Sequence, residues 1–301
     1  MLLNSPRSTA LGSSRLAYAV LTISVLFLAL NHVIGRGVHL EVPPLGLSFW
    51  RWLVAALLLL PFILSNPAHT FSVYRSHWRA FAVAGCMIAV ASSLIMVALN
   101  FTTATNVAVI NATQPTITVL LSRLLYAVPV SAARAFGVLV AFLGVLLMIS
   151  RGDWQLLLAL QFNKGDLIAL LAMLGFAGYA IVYARIPHGL SAARGLFPVV
   201  AVSTAVLLPF YVTETLLYRP VPINAVSIGA ILTIALLVSC AAMLLWNRGI
   251  SLLGANRASI FINLVPVFGA LFAVVFLGEQ FQLYHLAGML MIGLGVWFVA
   301  P

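Results

Sequence analysis

Apolar stretches of about 20 residues, the length that crosses the hydrocarbon core of a bilayer, follow one another along the whole chain. Charged residues, prolines and glycines separate them, and the longest connections lie at 65–78 and 151–164. The stretches lie at about 16–34, 45–64, 79–99, 105–125, 132–150, 166–184, 195–213, 224–246, 255–277 and 283–300. This pattern predicts an all-α polytopic membrane protein with ten transmembrane helices, the first of which is kept rather than cleaved as a signal peptide.

The composition supports a membrane location. Of the 301 residues, 63% are hydrophobic and 7% are charged, whereas a soluble domain carries about 25% charged residues. No soluble fold of this size could bury so much apolar side chain. The lipid bilayer is therefore the expected surroundings of most of the chain.

The charges indicate how the chain is inserted. Its net charge of +10 comes from 15 Lys and Arg residues against 5 Asp and Glu residues, spread singly, so nucleic acid is not an expected partner. With the N-terminus in the cytoplasm, the basic residues of the inner connections outnumber those of the outer ones. The inner set is Arg7, Arg15, Arg75, Arg79, Arg123, Arg134, Arg185, Arg194, Arg248 and Arg257. This bias predicts a bacterial inner-membrane protein with both termini cytoplasmic.

The two halves of the chain, 1–150 and 151–301, resemble each other. A shift of 151 residues aligns Pro115 with Pro266, Gly137 with Gly288 and Gly144 with Gly295. Each half is predicted to hold five helices, and because five is odd the second half is inserted in the opposite orientation. Inverted repeats are typical of secondary transporters that work by alternating access.

The four aligned glycines are spaced by seven residues within their helices, which places each pair on one helix face. Small residues on such a face let helices approach closely. We expect helix packing there. The same face could also join two copies of the chain, so the spacing allows a monomer or a homodimer.

Several short motifs carry a family resemblance. They are PP…FWR at 43–51, NRGI…GA at 247–255 with Pro266 further on, LGE at 277–279, and the glycine pair of the last helix. This set resembles the EamA type of the drug/metabolite transporter (DMT) superfamily, although the first half has Ala127-Val128 where the second has Gly278-Glu279. The resemblance implies ten helices, cytoplasmic termini and export of small metabolites. Within the superfamily, the chain is most similar to the amino-acid exporters, including exporters of aromatic amino acids.

The two aligned prolines predict where a substrate binds. A proline inside a helix removes an amide donor and frees the carbonyl four residues earlier, here at Asn111 and Ile262. Asn263 lies beside the second break, so each half has a broken helix with an asparagine. Either the breaks line a binding cavity and act as hinges, or they are packed kinks whose asparagines bond a neighbouring helix.

Other polar or aromatic residues of the spans complete the candidate substrate-binding set. Each has an alternative role, since serines often bond their own backbone and aromatic residues near span ends often lie at the interface. His32 could contact substrate, take up a proton or lie at the interface. Arg51, near the outer end of the second span, is expected to extend to the outer interface, where it could hold the outer loop or attract a carboxylate. The candidate set is Asn111, Gln114, Asn263, Tyr179, Ser92, Ser239, His32 and Trp246.

No cofactor or metal is expected. Cys86 and Cys240 both lie in apolar stretches, and the six histidines are scattered, so no ligand cluster forms within one helix. A membrane-embedded enzyme would need such a cluster. The expected partner is a small, neutral or zwitterionic solute such as an amino acid. Export of drugs or of nucleotide sugars is the alternative.

Overall fold

The computed structural model describes residues 6–64, 67–102, 107, 110–150, 152–153, 155, 158, 164–186, 190–277 and 282–299. Within helices, it describes only the backbone at 6–14, 32–33, 36, 68–69, 148–149, 270, 273–277, 285 and 299. The described part is helical and contains no strand. An all-helical chain is the outcome that the apolar stretches predict, because a helix satisfies every backbone group in lipid.

The helices follow the predicted stretches in order. They are α1 (Pro6–Val38), α2 (Pro44–Leu64), α3 (Pro67–Ala98), α4 (Gln114–Tyr126), α5 (Ala132–Ile149), α6 (Lys164–Tyr183), α7 (Ala192–Leu217), α8 (Ala225–Leu253), α9 (Ala255–Ser259, Ile260–Leu264 and Val265–Leu277) and α10 (Leu283–Val299). Within α8, Ile234–Ala242 is a π-helix, and within α9, Ile260–Leu264 is a 3₁₀-helix. Both irregular segments lie inside predicted spans.

Membrane-spanning length is reached by five helices among the described residues: α2, residues 70–98 of α3, α6, α7 and α8. Shorter apolar helical stretches lie at Arg15–Asn31, Ala132–Leu147 and Leu286–Phe298. The predicted fourth span, 105–125, lies partly outside the described residues. The chain is thus an all-α, multi-pass membrane protein.

The connection predicted at 65–78 is largely helical. α3 begins at Pro67 and passes through His77, whose backbone is non-helical (φ −120°, ψ 20°), before it enters the apolar stretch. The Tyr74 hydroxyl donates to the Arg194 carbonyl at 2.6 Å, which ties this first part of α3 to the start of α7. Tertiary contact with α7 therefore helps to order a segment whose polar composition resembles a loop.

The main helix contacts come in matched couples. Each helix of α1–α5 corresponds to the helix five places later, so that α1 corresponds to α6 and α5 to α10. When every helix is replaced by its counterpart, one contact of each couple becomes the other. The couples are α1–α8 with α3–α6, α2–α8 with α3–α7, and α1–α9 with α4–α6, while α2–α7, α4–α9 and α5–α10 each map onto themselves. The packing therefore brings corresponding helices of the two halves together.

The aligned glycines lie in the contact between α5 and α10. A Cβ atom added at Gly295 would lie 2.5 Å from the Gly137 carbonyl oxygen, and one added at Gly144 would lie 2.9 Å from that of Gly288. These distances are shorter than any ordinary Cβ contact. The glycine face is thus covered within a single chain.

We predict that Gly295→Ala destabilises the protein by about 1–3 kcal/mol, because the added methyl group overpacks the α5–α10 contact. Gly293→Ala is the matched control in the same helix, since a Cβ atom there meets nothing within 4 Å. Because alanine favours a helix more than glycine does, Gly293→Ala should raise the free energy of unfolding by up to about 1 kcal/mol. Thermal unfolding of the purified protein in detergent measures both, and equal midpoints for the two variants would contradict this packing.

Candidate functional site

A cavity lies among the helices and draws its walls from both halves of the chain. It contains about 770 Å³ of space free of protein atoms, including space at its open mouth. Residues of α1, α2, α3 and the start of α4 face residues of α6, α8 and α9 across it. Its walls are mostly apolar, with a small number of polar groups. Such a composition is typical of sites that bind small molecules.

The structure brings most of the predicted substrate-binding set together. The members that line the cavity are Ser92, Asn111, Gln114, Tyr179, Ser239 and Trp246. Asn263 lies outside the lining; it is 1% exposed, and its two amide atoms have no hydrogen-bond partner in the described part of the chain. The side chain of His32 lies outside the described residues.

The helix breaks lie beside the cavity, but they differ in form. Pro115 stands in the first turn of α4, which begins at Gln114 after a turn at 112–113, so this proline starts a helix. In α9 the 3₁₀-helix comes directly before Pro266, and the Ile262 carbonyl accepts a hydrogen bond from the Val265 amide. The prediction of a free carbonyl at Ile262 is therefore wrong. The tighter winding of the 3₁₀-helix pairs the Ile262 carbonyl with the amide three residues later.

Ser239 lies in the cavity wall, within the π-helix of α8. No residue pattern predicts this π-helical winding. The Ser24 hydroxyl of α1 donates to the Ala242 carbonyl at the end of this segment, at 2.8 Å. The Ser239 hydroxyl is buried and has no partner among the described residues. Wide turns of this kind are frequent at functional sites, because they shift a side chain out of helical register.

Arg51 does not extend to the outer interface as expected. It is 2% exposed and lines the cavity, with its guanidinium carbon 4.9 Å from the centroid of the Trp52 ring. Asn31 of α1, which accepts from Nη1 at 3.4 Å, lies beside it. The side chain projects from the inner face of α2, so reaching the interface would require it to leave that face. The interior of the protein therefore contains a cation; insertion scales give a cost of about 2.5–3.5 kcal/mol for an arginine at the centre of a span.

Tyr179 lies between the cavity and a second pocket. Its hydroxyl donates to Asn247 Oδ1 at 2.6 Å, and its ring lies 5.6 Å from that of Tyr183. Tyr183 and Asn247 line a second pocket, together with Arg248. The bond between α6 and α8 thus separates the central cavity from a pocket at the predicted cytoplasmic side.

Contacts between α2 and α7 lie near the opposite end. The Glu214 carboxylate accepts hydrogen bonds from the amides of Leu45 (3.1 Å) and Gly46 (2.6 Å), at the start of α2. The rings of Phe49 and Tyr211 stack with centroids 4.6 Å apart. A carboxylate at a helix N-terminus compensates the amides that have no intrahelical partner. These contacts hold the predicted outer ends of α2 and α7 together.

No group of three or more His, Cys, Asp or Glu side chains that could hold a metal ion occurs within the described ranges. The few polar groups of the cavity wall are amides, hydroxyls and one guanidinium. Such a wall can bind and orient a solute. Together with the helical membrane fold, it defines a protein that holds a small molecule within the bilayer.

Comparison with known proteins identifies the class. Residues 15–150 and 163–300 match the model of the EamA-like transporter family. The uncharacterized transporter YyaM of Bacillus subtilis is 27% identical over 258 residues, which cover 84% of this chain and 83% of YyaM. An uncharacterized transporter of Archaeoglobus fulgidus is 25% identical over 288 residues, 90% of this chain and 95% of that protein.

A crystal structure of another protein has the same fold, with a TM-score of 0.73 over 97% of this chain and 96% of that one, at 18% identity. The chain belongs to the EamA-like transporter family of the DMT superfamily. It is a multi-pass membrane transporter and not an enzyme, as the sequence predicted.

We predict that Tyr179→Phe lowers stability by about 1–2 kcal/mol, because it removes a buried hydrogen bond and leaves Asn247 Oδ1 without its donor. Tyr218→Phe is the control, since that side chain is 71% exposed and should change little. Thermal unfolding of the purified variants measures the difference. Wild-type midpoints for both variants would show that this hydrogen bond does not stabilise the fold.

Proposed function

We propose that this transporter exports neutral, zwitterionic amino acids, including aromatic ones, across the bacterial inner membrane by alternating access. The observation that carries the proposal is the composition of the cavity. Amide and hydroxyl groups occupy its wall beside the rings of Trp52, Phe176 and Trp246. Such a wall can hydrogen-bond the charged end of an amino acid and pack against its side chain.

We further propose that the chain crosses the membrane ten times, as two inverted five-helix repeats. Two observations support this arrangement. The family model matches one range in each half, and the main helix contacts exchange in couples when the halves are exchanged. The cavity then lies where the repeats meet, which is the usual position of the substrate site in transporters of this construction.

Alternating access requires one closed end of the cavity to open while the other stays closed. In this proposal, the Glu214 and Phe49 contacts form the outer closure, and the bond from Tyr179 to Asn247 forms the inner one. The breaks at Pro115 and Pro266 are the hinges. Asn111, Gln114, Ser92 and the other lining residues bind the substrate, which moves down its own gradient.

Counterflow in proteoliposomes tests the substrate. Vesicles preloaded with unlabelled phenylalanine should accumulate external labelled phenylalanine, because a carrier exchanges its substrate across the membrane without net flux. Empty vesicles and vesicles preloaded with uridine diphosphate glucose are the controls. Accumulation of labelled uridine diphosphate glucose by vesicles preloaded with that nucleotide sugar, with no counterflow of any amino acid, would replace the amino-acid proposal by the alternative class of substrate.

Reporter fusions test the proposed orientation. Alkaline phosphatase, which is active only outside the cytoplasm, should be inactive when fused after Pro301 and active when fused after Arg219, between α7 and α8. Both expectations follow from the excess of arginine on the inner connections. Green fluorescent protein, which fluoresces only inside, should give the opposite result at each site. Activity of the phosphatase at the C-terminus would reverse the assignment.

A further inference from the structure

Arg51 is the one buried Lys or Arg side chain among those that the structure describes. The other described basic side chains are exposed or half-buried. Arg51 lies two turns into α2 and faces the central cavity, where the remaining wall is uncharged. A permanent positive charge therefore lies at the place where the substrate is expected.

The guanidinium of Arg51 has more donors than acceptors around it. Arginine carries five N–H donors. Nη1 has the Asn31 oxygen at 3.4 Å, Nε has no partner among the described residues, and the Trp52 ring lies beside the carbon between them. Within the described part of the chain, no carboxylate forms an ion pair with it. A buried cation of this kind is stable when an anion completes its hydrogen bonds.

The surroundings select the kind of anion. A guanidinium presents two parallel N–H groups that match the two oxygens of a carboxylate. The neighbouring side chains of Asn111 and Gln114 are neutral amides. One positive charge balances one carboxylate, whereas a doubly charged phosphate would bring an excess negative charge into a wall without a second cation.

We propose that Arg51 binds the carboxylate of the transported solute, and that the cavity therefore selects monocarboxylates over the corresponding amines. This inference rests on the proposed function and deepens it, because it assigns the substrate class to one residue. The carboxylate accepts two hydrogen bonds from Arg51. The rest of the solute then extends along α6 and α8 towards Phe176 and Trp246.

Binding of three related compounds to the purified full-length protein tests the proposal. Phenylalanine carries both charged groups, 3-phenylpropionate lacks the amine, and phenethylamine lacks the carboxylate. By isothermal titration calorimetry, the wild type should bind the two carboxylates and bind phenethylamine at least roughly tenfold more weakly. This comparison needs no variant, so it holds even if a substitution prevents folding.

Variants of Arg51 then test whether this residue causes the preference for carboxylates. Arg51→Gln should weaken phenylalanine binding roughly ten- to hundredfold and abolish the preference over phenethylamine, because a charge-assisted pair of hydrogen bonds is lost. Arg51→Lys should keep part of the affinity for phenylalanine and part of the preference over phenethylamine. Arg79→Gln is the matched control, since Arg79 also lies over a neighbouring tryptophan ring, at 5.5 Å, but is exposed and outside the cavity.

Two results would overturn the assignment: a wild type that binds phenethylamine as tightly as phenylalanine, or a folded Arg51→Gln variant that keeps the preference for carboxylates. Either can occur while amino acids still undergo counterflow, in which case the proposed function stands. Conversely, Arg51-dependent binding of 3-phenylpropionate without counterflow of any amino acid would leave the assignment intact and refute the proposed substrate.

Discussion

The structure depends on one constraint, which is that lipid offers no hydrogen bonds to the backbone. Each peptide group in a span must find its partner within the protein, so the chain is helical wherever it meets lipid. Departures from helical winding are then restricted to places covered by protein or facing a cavity. The π-helix of α8 and the 3₁₀-helix of α9 obey this restriction, since both contribute residues to the central cavity.

The same absence of water makes each buried polar group costly, and several polar groups at the cavity wall bond one another or a neighbouring helix. Tyr179 bonds Asn247, and Trp52 bonds Ser92 at 3.2 Å. Arg51 differs, because the described protein provides it with too few acceptors. The proposed carboxylate of the solute would supply the missing acceptors. The glycine contact of α5 with α10 brings those helices together elsewhere in the fold.

Much of the fold could be predicted from hydropathy alone. The order of the helices, their approximate bounds and the membrane location all follow from long apolar stretches. The helical part of α3 before His77 was predicted as a connection, because its polar composition carries no span signal. The π-helix could not be predicted, since its residues suit ordinary helical winding equally well. Tertiary contacts lie along it, such as that of the Ser24 hydroxyl with the Ala242 carbonyl.

The sequence by itself determined that this chain is a helical membrane protein, because length and apolarity alone decide which segments enter lipid, and its short motifs gave the resemblance to the EamA type. It also singled out six polar or aromatic residues of the cavity wall. Only the tertiary structure decided that Arg51 faces inward and that Asn263 lies outside the lining. The physical reason is rotation: an apolar helix in lipid has hydrophobic residues on every side, so its pattern does not indicate which face meets the cavity. Packing against the neighbouring helices decides that.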